Sequence, residues 1–249
     1  MSSRGFYLIG SSLLTQNKII NTISNNVANI NTPGFKKDTV VTSTFDEMLW
    51  SRIDGSTNNL TELGTVSAMR IANENYTIHS QGTLEETGRN LDFAIEGSGF
   101  FAVNQGEQTG YTRNGSFNLD DEGYLILSGA GRVLDGSGEE IYMGTDRITA
   151  DSLGNLYDSE GNELGTLGVY DFEDYAQLEK MNEGVYTGEG AVPVEQPKVD
   201  WQTTEGSNVD AAQEMTNVIS AQRMLQSCSQ ALSIYDAILN KAATEIGKV

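Results

Sequence analysis

The sequence has one cysteine, one histidine and three prolines in 249 residues. With Cys228 alone no intramolecular disulfide can form, and a lone cysteine reads first as a small apolar core residue. A single histidine, His79, excludes a histidine-based metal cluster. It also leaves one residue to serve any Ser-His-Asp triad, and no G-x-S-x-G turn is present to offer the nucleophile. Walker loops and G-x-G-x-x-G stretches are missing as well. Basic residues are scarce, 15 against 35 acidic, for a net charge of −20. That excludes a nucleic-acid-binding surface, which needs clustered Lys and Arg to meet phosphates. No apolar run approaches the ~18 residues of a membrane span, so membrane insertion is not expected. The opening "MSSRGFYLIGSSLL" lacks the uninterrupted apolar length of a secretory signal. The sequence is thus expected to be cytoplasmic, or exported by a route that leaves no cleaved signal.

The acidity is concentrated. Residues 1–52 carry five basic against three acidic side chains, residues 53–208 seven against 28, and residues 209–249 three against four. The two nearly neutral ends are also where helical periodicity lies. Phe6, Leu13, Ile20 and Val27 recur every seven residues, as do Ile9, Gln16, Ile23 and Ile30, giving an a/d seam with one polar member. Thr32-Pro33-Gly34 ends this helix, because the residue before proline is pushed out of the helical region and glycine frees the turn. Towards the C-terminus Val218, Leu225, Leu232, Leu239 and Ile246 form one heptad line, and Ala221, Cys228, Tyr235, Ala242 and Val249 the other. Asn208 or Asp210 is placed to cap that helix. Asn21, Asn25 and Asn29 line up at i, i+4 and i+8 on the face opposite the N-terminal seam. Neutral amides there, with Gln222, Gln226 and Gln230 on the second helix, suit a buried inter-subunit contact that would not tolerate unpaired charge.

Between the ends the period changes to two. "LDFAIEGSGFFAV", "GYTRNGSFNLD", "GYLIL", "RITAD", "NLY" and "LGTLGVYDF" read as strands, joined by "DDEG", "DGSG", "DSLGN" and "DSEGN" as tight turns. Residues 36–74 keep no steady period and read as an extended arm, with one short helical turn around "STFDEMLWSRI". The Asp-x-x-Gly turns do not meet the calcium-loop pattern. Carboxylate pairs of the glycosidase kind could be drawn from Asp120, Glu122, Glu139 and Glu140, as in any acidic β protein. Tyr111, Arg113 and Phe117 read as cross-strand packing. No catalytic residue, metal site or cofactor is expected.

Three blocks carry a resemblance: "ISNNVANINTPGFKK" at the end of the first helix, "HSQGTLEETGRNLDFAIEGSGFFAV" followed by "YTRNGSFNLDDEGYLI", and "EGSNVDAAQEMTNVISAQRMLQSCSQALSIYDAIL". Together they resemble the flagellar axial proteins of the rod and hook. Ahead of "EGSNVD" that family often has a glycine and an apolar residue, where this sequence has "DWQTT". The resemblance implies an α+β multi-part subunit, with N- and C-terminal helices forming a coiled coil that lines a tube, and an all-β central domain facing outward. Its parts are residues 1–35 (axial helix), 36–74 (linker arm), 75–204 (β domain) and 205–249 (axial helix). The implied role is a structural, non-enzymatic subunit of the basal-body rod that transmits torque. Its implied partners are copies of itself, other rod and hook subunits, and the flagellar export apparatus. The expected self-assembly seam is Phe6, Ile9, Leu13, Ile20, Ile23, Val27, Ile30, Val218, Leu225, Leu232, Tyr235, Leu239 and Ile246, with Asn21, Asn25 and Asn29 as the inter-subunit polar stripe. The short middle favours a rod over a hook subunit. An exported acidic β-domain adhesin or surface-layer protein is the alternative, but matched heptads at opposite ends of a chain do nothing for an adhesin.

Overall fold

The computed structural model describes residues 2–53, 60–106, 108–181 and 184–246. The chain divides into two compact units: Met1–Val27, Asp38–Thr77 and Ala211–Val249 in the first, and Ala28–Lys37 with Ile78–Asp210 in the second.

The first unit contains two helices, α1 (Ser2–Ala28) and α2 (Ala211–Ile246). Along α2 the side chains withdrawn from solvent are Glu214, Asn217, Val218, Ala221, Leu225, Cys228, Leu232 and Tyr235, with exposed residues between them. Apart from Asn217 they step by three and four, the signature of a helix that buries one narrow stripe. The stripe meets α1. A Cβ on Gly5 would lie 3.5 Å from the Tyr235 ring. Ser12 Oγ lies 3.5 Å from Cys228 Sγ, and Asn26 Nδ2 donates to Glu214 Oε2 at 3.4 Å. As the position on α1 rises, its partner on α2 falls in equal steps, so the two helices run antiparallel.

Residues 38–77 form a long antiparallel ribbon of β1 (Asp38–Ile53) and β2 (Leu60–Thr77). Its register runs from Asp38 opposite Thr77 to Ile53 opposite Leu60, with irregularities at Val40/Thr42 and Trp50/Ser51. The helical turn expected around residues 43–53 is therefore not formed. Phe45, Leu49 and Ile53 mimic helical spacing, but the surrounding Thr, Val, Phe and Trp favour a pleated backbone, and cross-strand pairing overrides the local pattern. The base of the ribbon is pinned from both sides. Asn26, almost fully buried on α1, accepts from the Asp38 amide at 3.0 Å and donates to the Asp38 carbonyl at 2.8 Å. The Thr77 hydroxyl donates to Asp38 Oδ1 at 2.7 Å.

The second unit is β. Among the described residues a nine-stranded antiparallel sheet is centred on Phe100–Asn104, which pairs with Thr109–Thr112, Gly131–Val133 and Val169–Asp171. Strands from the start and end of the unit pair with each other: Phe93–Ile95 with Val199–Trp201, and Leu84–Glu86 with Thr203–Glu205. Phe93, Ile95, Phe101, Val103, Phe117, Leu125, Val133, Leu156 and Leu167 form the main core, and Phe100, Tyr111, Phe172 and Tyr186 an aromatic satellite.

The acidic turns take the expected form and share one construction. In each of four, the glycine amide donates to the carbonyl of the aspartate three residues earlier: Gly123 to Asp120, Gly138 to Asp135, Gly154 to Asp151 and Gly161 to Asp158. All four glycines have φ between 82° and 89°, the left-handed conformation that costs other residues strain. In three of the turns the aspartate carboxylate also caps the loop. Asp120 accepts from the Glu122 and Tyr124 amides, Asp135 from Ser137 and Glu139, and Asp151 from Leu153 and Asn155, at 2.7–3.0 Å. Asp120, Glu122 and Glu140, which on sequence could have formed a carboxylate pair, are instead gathered on the Arg132 guanidinium.

These bonds set an acid limit. Desolvation raises the Asp151 carboxyl, but donation from the Asn155 side chain, the Asn155 and Leu153 amides and the Tyr157 hydroxyl outweighs it and holds the group below its ordinary 3.8. Asp120 behaves alike: desolvation raises it, and the Tyr124 amide and Arg132 more than compensate. A carboxyl lowered by folding contributes stability above its unfolded value and loses it as pH falls through its folded value. Thermal unfolding is therefore expected to lose stability as pH drops below 3.8. Asp151→Asn, which keeps the acceptor and removes the titration, should make that loss shallower.

Candidate functional site

In the second unit the three sequence blocks converge on one carboxylate. Glu205, at the end of strand Thr203–Glu205, has no solvent-exposed surface. Its Oε1 accepts from Lys36 Nζ at 2.5 Å and from the Gly82 amide at 2.7 Å, and its Oε2 from Arg113 Nη1 at 3.2 Å. Lys36 is equally buried, and its ammonium also donates to the Ser80 carbonyl at 2.8 Å. Arg113 sends Nη2 to the Gly97 carbonyl at 2.7 Å. Burial pulls the Lys36 ammonium below its usual value and Arg113 adds to that, while Glu205 opposes both. Ion pairs this deep hold only when the remaining lone pairs and protons are satisfied, and the backbone partners here meet most of that demand.

The backbones around this clasp touch directly, which explains why its motifs contain glycine. The Gly34 amide donates to the Glu205 carbonyl at 2.6 Å, and a Cβ on Gly34 would fall 2.3 Å from the Asn114 nitrogen. A Cβ on Gly82 would fall 2.0 Å from the Gly206 carbonyl oxygen, and one on Gly115 1.8 Å from that of Phe93. Asn208 completes the arrangement. It accepts from the Lys37 amide at 2.7 Å and donates to the Ile78 carbonyl at 2.8 Å and to Ser80. Its side chain thus joins chain segments rather than standing as a simple helix cap. The clasp holds the segments that precede β1, follow β2 and precede α2.

Just upstream, Gln202 takes φ 56°, the one positive value among the described non-glycine residues. Its carbonyl accepts from the Thr87 and Gly88 amides, and its side chain donates to Asn90 Oδ1 at 3.1 Å. Gln202 lies within the "DWQTT" stretch that departs from the family pattern, and these local hydrogen bonds hold its left-handed backbone.

Most of the expected seam is gathered in the first unit. Ile23 is buried; Ile9, Leu13, Ile20, Val27, Val218, Leu225, Leu232 and Tyr235 are half-buried; Phe6 and Leu239 are exposed. Ile30 lies half-buried in the turn after α1, and the Ile246 side chain is outside the described residues. Asn21 and Asn25 are exposed and Asn29 is half-buried. Asn29 accepts from the Thr32 hydroxyl and amide, so it also shapes the turn that ends α1. Met215, Ile219, Met224, Ile234 and Ile238 present exposed apolar side chains elsewhere on α2.

Lys36, Arg113 and Glu205 were not visible as a site in the sequence. Their one signal was a charge inside a glycine-containing motif ("PGFK", "TRNG", "TEGS"), which separate surface turns would show equally well. Among the described residues no group of three or more His, Cys, Asp or Glu could hold a metal ion, and no helix is long and apolar enough to cross a membrane.

Residues 94–219 match the family model described as Flagellar hook protein FlgE/F/G D1 domain. Residues 202–245 match Flagellar basal body rod FlgEFG protein C-terminal, and residues 9–36 Flagella basal body rod protein. The flagellar basal-body rod protein FlgG of Bacillus subtilis is 33% identical over 243 residues, covering 89% of this chain and 91% of that protein. The chain belongs to the flagellar rod and hook protein family. It is a structural rod protein, not an enzyme. FlgF of Caulobacter vibrioides, a rod protein by name, is 28% identical across 95% of both chains. By contrast, the flagellar hook protein FlgE of Treponema pallidum matches over 120 residues, only 25% of its own length. The family's N-terminal and C-terminal matches include Lys36 and Glu205 respectively, so the clasp joins the two rod-protein segments.

Removing one partner of a buried pair leaves the others uncompensated, at about 3–5 kcal/mol. Glu205→Gln should destabilise the β unit by that order in denaturant unfolding. Adding Lys36→Met should recover part of the loss, with a coupling above about 1 kcal/mol. At Gln202 a β-branched residue cannot adopt positive φ cheaply. Gln202→Val should therefore cost about 1–2 kcal/mol more than Gln202→Gly in the same assay.

Proposed function

We propose that this rod subunit assembles through α1 and α2. In this reading the heptad stripes pair as a coiled coil within each chain. The remaining circumference of α2, carrying Met215, Ile219, Met224, Ile234 and Ile238, is then covered by neighbouring copies and other rod subunits. The exposure of those five side chains on a helix that already buries a separate stripe is the observation that carries it. Scattered single apolar residues need no explanation, but a helix apolar on two faces does. Asn21, Asn25 and Asn29 supply the polar part of the same contact.

Residues 1–35 and 205–249 are then the axial parts of the subunit, residues 36–74 the linking arm and residues 75–204 the β domain. The assembled tube transmits torque, and the subunit reaches it through the flagellar export apparatus without a cleaved signal. The family membership supports this placement, and the resemblance of both terminal segments to rod proteins supports the axial role.

Ile234→Asp and Ile238→Asp test the second face apart from the first. Exposed positions tolerate such changes within about 0.5 kcal/mol, so the purified double variant should unfold at the wild-type denaturant midpoint. Cells carrying it should lack rods and not swim. Normal basal bodies would show that this face of α2 meets solvent.

A further inference from the structure

Asn114–Gly115 is the one Asn-Gly pair in the sequence, and it sits inside the clasp. We propose that it is a modification site, a deamidation position that folding switches off and that, once spent, prevents the clasp from closing.

The chemistry needs only the chain and water. The Gly115 amide nitrogen loses its proton to solvent base and attacks Asn114 Cγ. A C–N bond forms, the Cγ–Nδ2 bond breaks, and ammonia leaves with a proton regained from solvent. Water then opens the resulting cyclic imide. Cleavage at Cγ gives aspartate with the backbone unchanged, while cleavage at the backbone carbonyl gives isoaspartate, whose main chain is one methylene longer. Asn-Gly is the favoured pair because glycine has no side chain to obstruct the ring and the greatest backbone freedom.

The folded unit removes that freedom. The Ser116 amide donates to Asn114 Oδ1 at 3.0 Å, and the Asn114 amide donates to Thr112 Oγ1 at 3.1 Å. The Gly115 carbonyl accepts from both the Phe93 and Phe117 amides at 3.0 Å, and the space beside Gly115 Cα is filled by the Phe93 carbonyl. Asn114 is only half-buried, so water reaches it. Geometry, not exclusion of solvent, therefore protects it. Ring closure requires the loop to open, and the rate falls by the fraction of time it is open, about a hundredfold for a segment tied into a core sheet.

The two products differ in consequence. An aspartate at 114 keeps its length and an oxygen to accept from Ser116. An isoaspartate inserts a methylene beside the backbone on which Gly34 packs, and displaces the neighbouring Arg113 from Glu205. A chain kept unfolded too long thus loses the ability to form the clasp.

The full-length protein, held at mildly alkaline pH either native or unfolded in urea, provides the test. Peptide mass analysis and isoaspartyl-specific methylation should show Asn114 modified about a hundredfold faster in the unfolded sample. On dilution from urea, the refolded fraction of wild type should fall as isoaspartate accumulates. Asn114→Asp, tested without ageing, should refold as wild type does. Asn114→Ser, which cannot form the ring, should age in urea without that loss. Equal modification rates in the two samples would overturn the protection. Aged wild type that refolds as fully as aged Asn114→Ser would overturn the consequence.

Discussion

With its side chain withdrawn from water, Glu205 meets two buried cations that come from chain segments 92 and 169 residues away. A charge so placed is costly unless every partner arrives, which makes the arrangement all-or-none. Strand pairing alone would tolerate a slip of register, but a carboxylate that must meet Lys36, Arg113 and the Gly82 amide together would not. The β unit has no disulfide to close it. The ion pairs, with the close backbone contacts at Gly34, Gly82 and Gly115, supply the long-range specificity that a cross-link would otherwise give.

The same logic recurs at two asparagines, one in each unit. Asn26 meets both the amide and the carbonyl of Asp38, and Asn208 meets the segments on either side of residues 38–77. Each is an amide that donates and accepts at once, which suits a buried junction better than a charged side chain that can do only one. The asparagine-rich segment at the end of α1 thus contains residues of different use. Asn26 is structural within the chain, Asn29 shapes the turn after α1, and Asn21 and Asn25 are exposed.

The two helices and the acidic turns were legible because they are local: their signal is spacing along a few turns of helix, or four residues around a glycine. The division into helical ends and a β middle followed from them, and so did the short strands, whose turns fix their limits. Two features were not legible. The β1–β2 ribbon is held by pairing between residues as far apart as Asp38 and Thr77, and its internal spacing looks helical over residues 43–53. The clasp was hidden because Lys36, Arg113 and Glu205 look like ordinary surface charges until the fold brings them together. Gln202 lies in the "DWQTT" stretch that the sequence set apart from the family pattern, but its left-handed backbone shows only in the fold.

The Asp-x-x-Gly turns bear on how this protein carries its charge. In three of them the carboxylate is absorbed by two backbone amides of its own loop, and Asp120 is further met by Arg132. These three carboxylates are thereby bound to local geometry, and Asp135 and Asp151 are held there by their own loops. Such a loop asks little beyond its aspartate and its glycine, the exception being the first turn, where Glu122 is also held by Arg132. The hairpins that carry these turns therefore keep their shape through bonds made within a few residues, and the core beneath them is spared that task.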